Sequence, residues 1–325
     1  MTFGLQCSEE QSCAILDRAA GAGITFLDTP DVYPVGGDLT TRGRTEEILG
    51  RWLHGRRQDF VVATKCHGAM GSNPWDRTAR RHILDAVDQS LQRLQTDWID
   101  LYQLHGFDPE TPIDEMLEAL DSLVRSGKVR YIGCSNWAAF RLARAIGQGE
   151  ARGLARFDCV QPRYNLLYRE FERDLFPLCL EEGIGIISYN PIAGGFLSGK
   201  HDASGLPTPG TRFTLGTAVQ NYQQRYWHQR QFGSVDQLRG VAADAGVPLA
   251  RLAVAWVLNQ PAITAPIVGA SKPEQLAETL AAASMQLTDD LPSQLDARRG
   301  DLDPASMLRR HAGRTNYPDI HVCVS

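Results

Sequence analysis

The stretch Ile24-Thr25-Phe26-Leu27-Asp28-Thr29-Pro30-Asp31-Val32-Tyr33 sets the frame for the whole chain. Residues 24–27 are an apolar run of the kind that forms a buried strand. The run stops on Asp28, and Tyr33 follows in the loop beyond it. A carboxylate at a strand end with a phenol just past it can form an acid/base pair. Taken singly, an Asp there also starts turns, and a Tyr also packs as a half-buried aromatic. What decides between these readings is how the other strands end.

Five more apolar runs end on polar or aromatic side chains. Residues 60–64 lead to Lys65, residues 98–104 to His105, and residues 129–134 to Ser135-Asn136. Residues 157–160 lead to Gln161 and residues 184–188 to Tyr189-Asn190-Pro191. A last run, 265–268, leads to Gly269-Ala270-Ser271. Helical patterns fall between them. The first opens at Ser8, which has capping-box spacing to Gln11, and Gly23 stops it. Others cover 45–53, 79–94, 138–148, 235–245, 248–259 and 273–283. One begins with Pro112 at its first helical position. Another, 170–182, contains Pro177, which predicts a kink. Residues 192–231 form a long Gly-, Pro-, Thr- and Gln-rich segment, a length that in a compact domain usually marks function or mobility.

Residues 1–4 read as the end of a further strand. Counting that stub, eight strand–helix units can be drawn. Near-continuous apolar strands suit a parallel sheet buried on both faces. Eight such units in 325 residues favour an α/β fold of the closed (β/α)8 TIM-barrel type over an open doubly wound sheet. No Gly-x-Gly-x-x-Gly follows an early strand, which weighs against the dinucleotide-binding open fold. A single domain over residues 1–325 is expected, regular to about 290, with the tail 291–325 unassigned.

A net charge of -5 without a basic run argues against a nucleic-acid partner. No stretch approaches the ~20 apolar residues of a membrane helix, and residues 1–4 lack a signal-peptide n-region. Seven scattered cysteines without metal spacing read as reduced thiols. A cytoplasmic protein without a metal is therefore expected. No oligomer interface is readable.

Active sites of such barrels lie where the strands end. Asp28, Lys65, His105, Ser135, Asn136, Gln161, Tyr189, Gly269 and Ser271 would then ring one mouth. A Tyr phenol has a pKa of about 10, high for acid/base work at neutral pH. A nearby Lys cation lowers it, and Asp28 can partner that buried Lys. His105 can orient or polarise a carbonyl. The set has no strong nucleophile and no metal-ligand cluster. Reduction of a carbonyl needs a hydride donor from outside these side chains, which implies a nicotinamide. Tyr189 offers the ring a flat face, and Ser135, Asn136 and Gln161 can bond its carboxamide.

The chain resembles the aldo-keto reductase superfamily. The matching segments are Phe26-Leu27-Asp28-Thr29-x-x-x-Tyr33, Ala63-Thr64-Lys65, Asp100-Leu101-Tyr102-Gln103-Leu104-His105 and Gly127-Lys128-Val129-Arg130-Tyr131-Ile132-Gly133-Cys134-Ser135-Asn136. Gln161-x-x-Tyr164-Asn165, the run from Ser188 to Lys200 and the run from Ile267 to Leu276 follow in order. It is more similar to bacterial reductases and potassium-channel β-subunits than to aldose reductases. The resemblance implies a catalytic tetrad of Asp28, Tyr33, Lys65 and His105, with Tyr33 as proton donor. It implies that Gln6, Asp28, Ser135, Asn136, Gln161, Tyr189, Asn190, Pro191, Ile192, Gly194, Gly195 and Leu197 hold the nicotinamide half and pyrophosphate. Lys200 and Arg212 would join them from the long segment. Gly269, Ser271, Lys272, Gln275, Glu278 and Thr279 would hold the adenosine end.

Three departures stand out. The family has a hairpin and a full first strand ahead of the position of Met1, so a barrel with a truncated first strand is expected. Gln275 stands where some members place an Arg on the 2′-phosphate, with Lys272 close by to compensate. The tail 309–325 matches no known pattern. The expected activity is NADPH-dependent reduction of an aldehyde, ketone or keto-sugar, with NADH as the alternative cofactor. The alternative function is a cofactor-binding regulatory subunit of a larger complex.

Overall fold

The computed structural model describes residues 1–68, 70–71, 77–287, 290–297 and 323–324. Eight strands close a barrel: β1 (Phe26–Asp28), β2 (Val61–Cys66), β3 (Ile99–Leu104), β4 (Val129–Ser135), β5 (Phe157–Gln161), β6 (Gly185–Tyr189), β7 (Ala265–Val268) and β8 (Cys323–Val324). Neighbours pair in parallel all the way round. The first helices are α1 (Glu9–Gly21), α2 (Arg44–Trp52), α3 (Arg80–Leu94), α4 (Ile113–Arg125), α5 (Ala139–Arg152) and α6 (Leu175–Glu182). After β6 come α7 (Val219–Tyr226), α8 (Gln229–Asp244) and α9 (Leu249–Leu258), and after β7 come α10 (Leu276–Ala281) and α11 (Asp290–Ala297).

The strand period of two positions the site. Ala63, Leu101, Cys159, Ile187, Ala265 and Ile267 share one face and fill the barrel interior. Two residues further along β2, β3, β5 and β6, the same face carries Lys65, Gln103, Gln161 and Tyr189. The intervening residues Val62, Tyr102, Val160 and Ile186 belong to the outer core that packs under the helices. An apolar plug with a polar cap follows from alternation alone.

The capping box at α1 is complete: Ser8 N–H donates to Gln11 Oε1 at 3.1 Å, and Gln11 N–H donates to Ser8 Oγ at 3.2 Å. Pro112 is the N-cap of α4 rather than its first helical residue. The expected kink at Pro177 is absent. Residues 170–182 divide into a 3₁₀ turn, Glu170–Glu172, and α6, whose first turn holds Pro177. There a missing N–H forfeits no helical bond. The segment 192–231 is not loop throughout; it contains 3₁₀ turns Ala193–Ser198 and Gly216–Ala218 as well as α7. Phe196 knits it together, with ring centroids 5.7 Å from Phe213, 4.9 Å from Phe232 and 5.9 Å from His201.

The first strand is missing ahead of α1, as the truncated start implied. Residues 1–7 form a turn, with the Thr2 carbonyl accepting from the N–H groups of Leu5, Gln6 and Cys7. As expected, no full strand precedes α1; the position between β7 and β1 is taken by the two-residue β8, Cys323–Val324.

Candidate active site

Asp28 is the hub of the mouth. Its Oδ2 accepts from Lys65 Nζ at 2.5 Å, and its Oδ1 accepts from Gln161 Nε2 at 2.9 Å and Gln103 Nε2 at 3.3 Å. Lys65 also donates to the Thr29 carbonyl at 3.2 Å. Both charged side chains are nearly fully buried, 1% exposed for Lys65 and 3% for Asp28. Such a pair persists only because each partner's charge is answered.

Tyr33 and His105 stand on this floor. Their rings meet edge to face, centroids 6.1 Å apart. Burial first, and then the negative charge of Asp28, push the Tyr33 phenol above its ordinary pKa, while the Arg212 guanidinium pulls it the other way. The expected lowering by Lys65 is not found. That ammonium is tied to Asp28, and burial in a dry setting leads the upward shift. Tyr33 therefore keeps its proton at neutral pH. His105 is pushed down to about 3 by burial, with the cations of Lys65 and then His67 adding to it. Its imidazole is neutral, and its backbone is fixed by its N–H on the Cys66 carbonyl at 2.8 Å.

The predicted nicotinamide side is a connected chain of hydrogen bonds. Tyr189 hydroxyl donates to Asn136 Oδ1 at 2.8 Å, and Asn136 Nδ2 donates to Ser135 Oγ at 2.9 Å and to the His105 carbonyl at 3.1 Å. Ser135 hydroxyl donates to the Gln161 carbonyl at 2.7 Å. The Gln161 amide is engaged at Asp28. Beyond β6 the backbone takes left-handed conformations at Asn190 (φ 60°), Gly194 (φ 68°) and Gly195 (φ 98°). Pro191 and Leu197 are buried and Ile192 is half-buried in the same turn. Asn190 Nδ2 is buried without a partner, the kind of orphan a ligand acceptor satisfies.

Across the mouth, Gln6 Nε2 donates to the Gly210 carbonyl at 2.6 Å, latching residues 1–7 to the long segment. Arg212 Nη1 is buried without a hydrogen-bond partner. Gln275 Oε1 accepts from Ser271 N–H at 2.8 Å and Ser271 hydroxyl at 3.1 Å, next to the exposed Gly269. Lys200 and Lys272 are exposed. Two adenosine-end positions are otherwise engaged. Glu278 is paired with Arg251 at 2.8 Å, and the buried Thr279 hydroxyl donates to the Leu276 carbonyl at 3.1 Å.

Three site residues escaped the sequence reading. Gln103 sits inside the quoted motif but one residue short of the strand end, and only the inward parity of Leu101 marks it. His67 lies two residues past Lys65, and its ring atoms are 3.5 Å from where a Cβ on Gly106 would stand. Tyr222 of α7 reaches Asn190 Oδ1 at 3.5 Å, and no local signal aims it there.

The family model described as Aldo/keto reductase family matches residues 1–299. An uncharacterized oxidoreductase, YrpG, of Bacillus subtilis is 35% identical over 304 residues, covering 91% of this chain and 89% of its own. A probable voltage-gated potassium channel subunit beta of Arabidopsis thaliana is 32% identical over 290 residues, covering 88% and 85%. Versiconal hemiacetal acetate reductase of Aspergillus parasiticus is 31% identical over 308 residues, covering 88% and 86%. With this match along the chain and a closed parallel barrel, the protein belongs to the aldo/keto reductase family of oxidoreductases.

Proposed function

We propose that this chain is an NADPH-dependent carbonyl reductase acting on an aldehyde, ketone or keto-sugar, with Tyr33 as the proton donor. The observation that carries the reading is the Tyr33 ring set edge to face against His105, centroids 6.1 Å apart, over the buried Asp28–Lys65 pair. A bound nicotinamide would supply the hydride. Tyr33 gives its proton to the substrate oxygen, where charge builds up, and Arg212 is the cation that offsets the phenolate left behind. His105 orients the carbonyl as a neutral hydrogen-bonding partner. Lys65, Asp28, Gln103 and Gln161 act through the floor they build.

Asn136, Tyr189, Asn190 and the turn through Gly194 and Gly195 would hold the nicotinamide half. Lys272 beside Ser271 and Gln275 supports the phosphorylated dinucleotide, since the carboxylate of Glu278 is neutralised by Arg251. The reduced thiols of the six described cysteines agree with a cytoplasmic setting. Among the described residues, no single helix is long and apolar enough to cross a membrane.

Similarity to a potassium channel β-subunit supports a second reading, a cofactor-binding regulatory subunit. Turnover separates the two. Protein fluorescence titrated with NADPH and with NADH should show tighter quenching by NADPH. A generic aldehyde should then consume NADPH. Tyr33→Phe should abolish consumption while leaving the quenching intact; unchanged turnover in that variant sinks the assigned role.

A further inference from the structure

We infer that His201 is a positioning residue that clasps the stretch 194–213 shut, and that its protonation opens the clasp and weakens dinucleotide binding. The inference rests on the proposed reading, in which this stretch holds a nicotinamide dinucleotide. The imidazole is 5% exposed. Its centroid lies 5.9 Å from Phe196 in a stacked contact, and 4.9 Å from Phe213 and 5.2 Å from Trp227 edge to face. Phe196 follows directly on the Gly194-Gly195 turn. Phe213 adjoins Arg212, whose Nη1 is buried without a partner. Trp227 ends α7, from which Tyr222 reaches Asn190 Oδ1 at 3.5 Å. One ring thus joins three pieces of chain, each bordering a group proposed to face the cofactor.

Neither ring nitrogen has a hydrogen-bond partner. A phenyl ring would fill the same box without two orphaned polar atoms. What an imidazole adds is a charge that switches near neutral pH. The backbone is anchored separately. Arg239 of α8 donates to the carbonyls of Gly199 and His201, the latter at 3.2 Å, and pairs with Asp236 at 2.7 Å. The ring can therefore leave its box while the chain beneath it stays attached to α8.

The surroundings oppose an imidazolium. Lys200 precedes the ring in the chain, and α8 contributes Arg239. Arg212 stands next to Phe213, and the exposed Arg225 and His228 flank Tyr226 and Trp227. The Tyr226 hydroxyl accepts from Asn165 Nδ2 at 3.2 Å. On the same elements, the Asp202 carboxylate accepts from the N–H and the hydroxyl of Ser204, both at 2.8 Å, Asp236 is held by Arg239, and Asp244 is the last residue of α8. Burial, and then Lys200, hold the imidazole down to about 4. A base lowered in the closed form and ordinary, near about 6.5, in the open form favours opening as pH falls between those values. At pH ~5 the bias toward the open form is at most about thirtyfold.

The full chain and His201→Phe are compared at about pH 7.5 and about pH 5. Hydrogen exchange of the amides of residues 213–227, corrected for the intrinsic rate, is read without cofactor. Quenching of protein fluorescence by NADP+ gives Kd at each pH, and the ligand's own ionisation cancels between the two proteins. On acidification, protection and affinity in the full chain should each fall at least about fivefold further than in His201→Phe. Should the variant not fold, the ring proton of His201, followed by NMR in the full chain, decides: its pKa should drop when NADP+ binds, as reciprocity requires. Equal falls in the two proteins overturn the inference, as does an imidazole that titrates alike with and without NADP+. Absence of quenching in the full chain at the higher pH defeats the cofactor reading instead, and the exchange arm then judges the clasp by itself.

Discussion

Replacing Lys65 by Met probes the floor of the site directly. The ammonium is 1% exposed and lies 2.5 Å from Asp28 Oδ2. Its removal leaves a carboxylate that is 3% exposed, with only the Gln161 and Gln103 amides as donors. Breaking one side of a buried pair costs about 3–5 kcal/mol. The two remaining amides each give a charge-assisted bond of about 1.5–3 kcal/mol, so the loss should fall near the lower figure, about 3 kcal/mol. The double variant Lys65→Met/Asp28→Asn removes both charges and should lose less than Lys65→Met alone, about 1–2 kcal/mol. Urea unfolding at neutral pH, with matched slopes, measures all four corners of the cycle. A Lys65→Met protein within about 1 kcal/mol of the parent would show that Asp28 does not depend on this cation. A double variant as unstable as the sum of the singles would say the same.

Three further outcomes follow from buried groups. Asp31 is fully buried, and neither carboxyl oxygen meets a donor in good geometry. Burial, reinforced by Glu46, raises its pKa well above the ordinary value. An acid raised in the folded state contributes most below its unfolded pKa of about 3.9, and that contribution is lost as pH rises. Asp31→Asn should therefore flatten the decline above pH ~4, by at most about 1.4 kcal/mol per pH unit; an unchanged slope in a denaturation series refutes this. His201, 5% exposed among Phe196, Phe213 and Trp227, is pushed down to about 4 by burial and then Lys200. A base lowered in the folded state loses stability as pH falls below its unfolded value of about 6.5, so His201→Phe should flatten the acid limb between about 6.5 and 4. Gly194→Ala places a Cβ 2.4 Å from Tyr222 Cε1 at a φ of 68°. It should cost about 1–2 kcal/mol from the backbone alone and weaken NADPH quenching; parent-like binding and stability would refute the cradle.

The strand ends were legible because each is a local event: an apolar run stops and a polar residue follows. Asp28, Lys65 and His105 needed only that signal and the rule that strand ends converge. What lies one step off the end depends on parity, which is why Gln103 was passed over. The Gln103 and Gln161 amides point inward because they share the face of Leu101 and Cys159, and that face is visible only once the register is known. α7 is nearly all polar, and burial of Tyr222 and Tyr226 holds it in place, so its helical state comes from packing. β8 is the extreme case. A two-residue strand carries no periodicity, and nothing local in Cys323-Val324 distinguishes it from a loop. Its place is set by its pairing with β1 and β7. Among the described residues, the barrel closes through a pairing of distant positions, Phe26 with Cys323, which no local pattern in the sequence could signal.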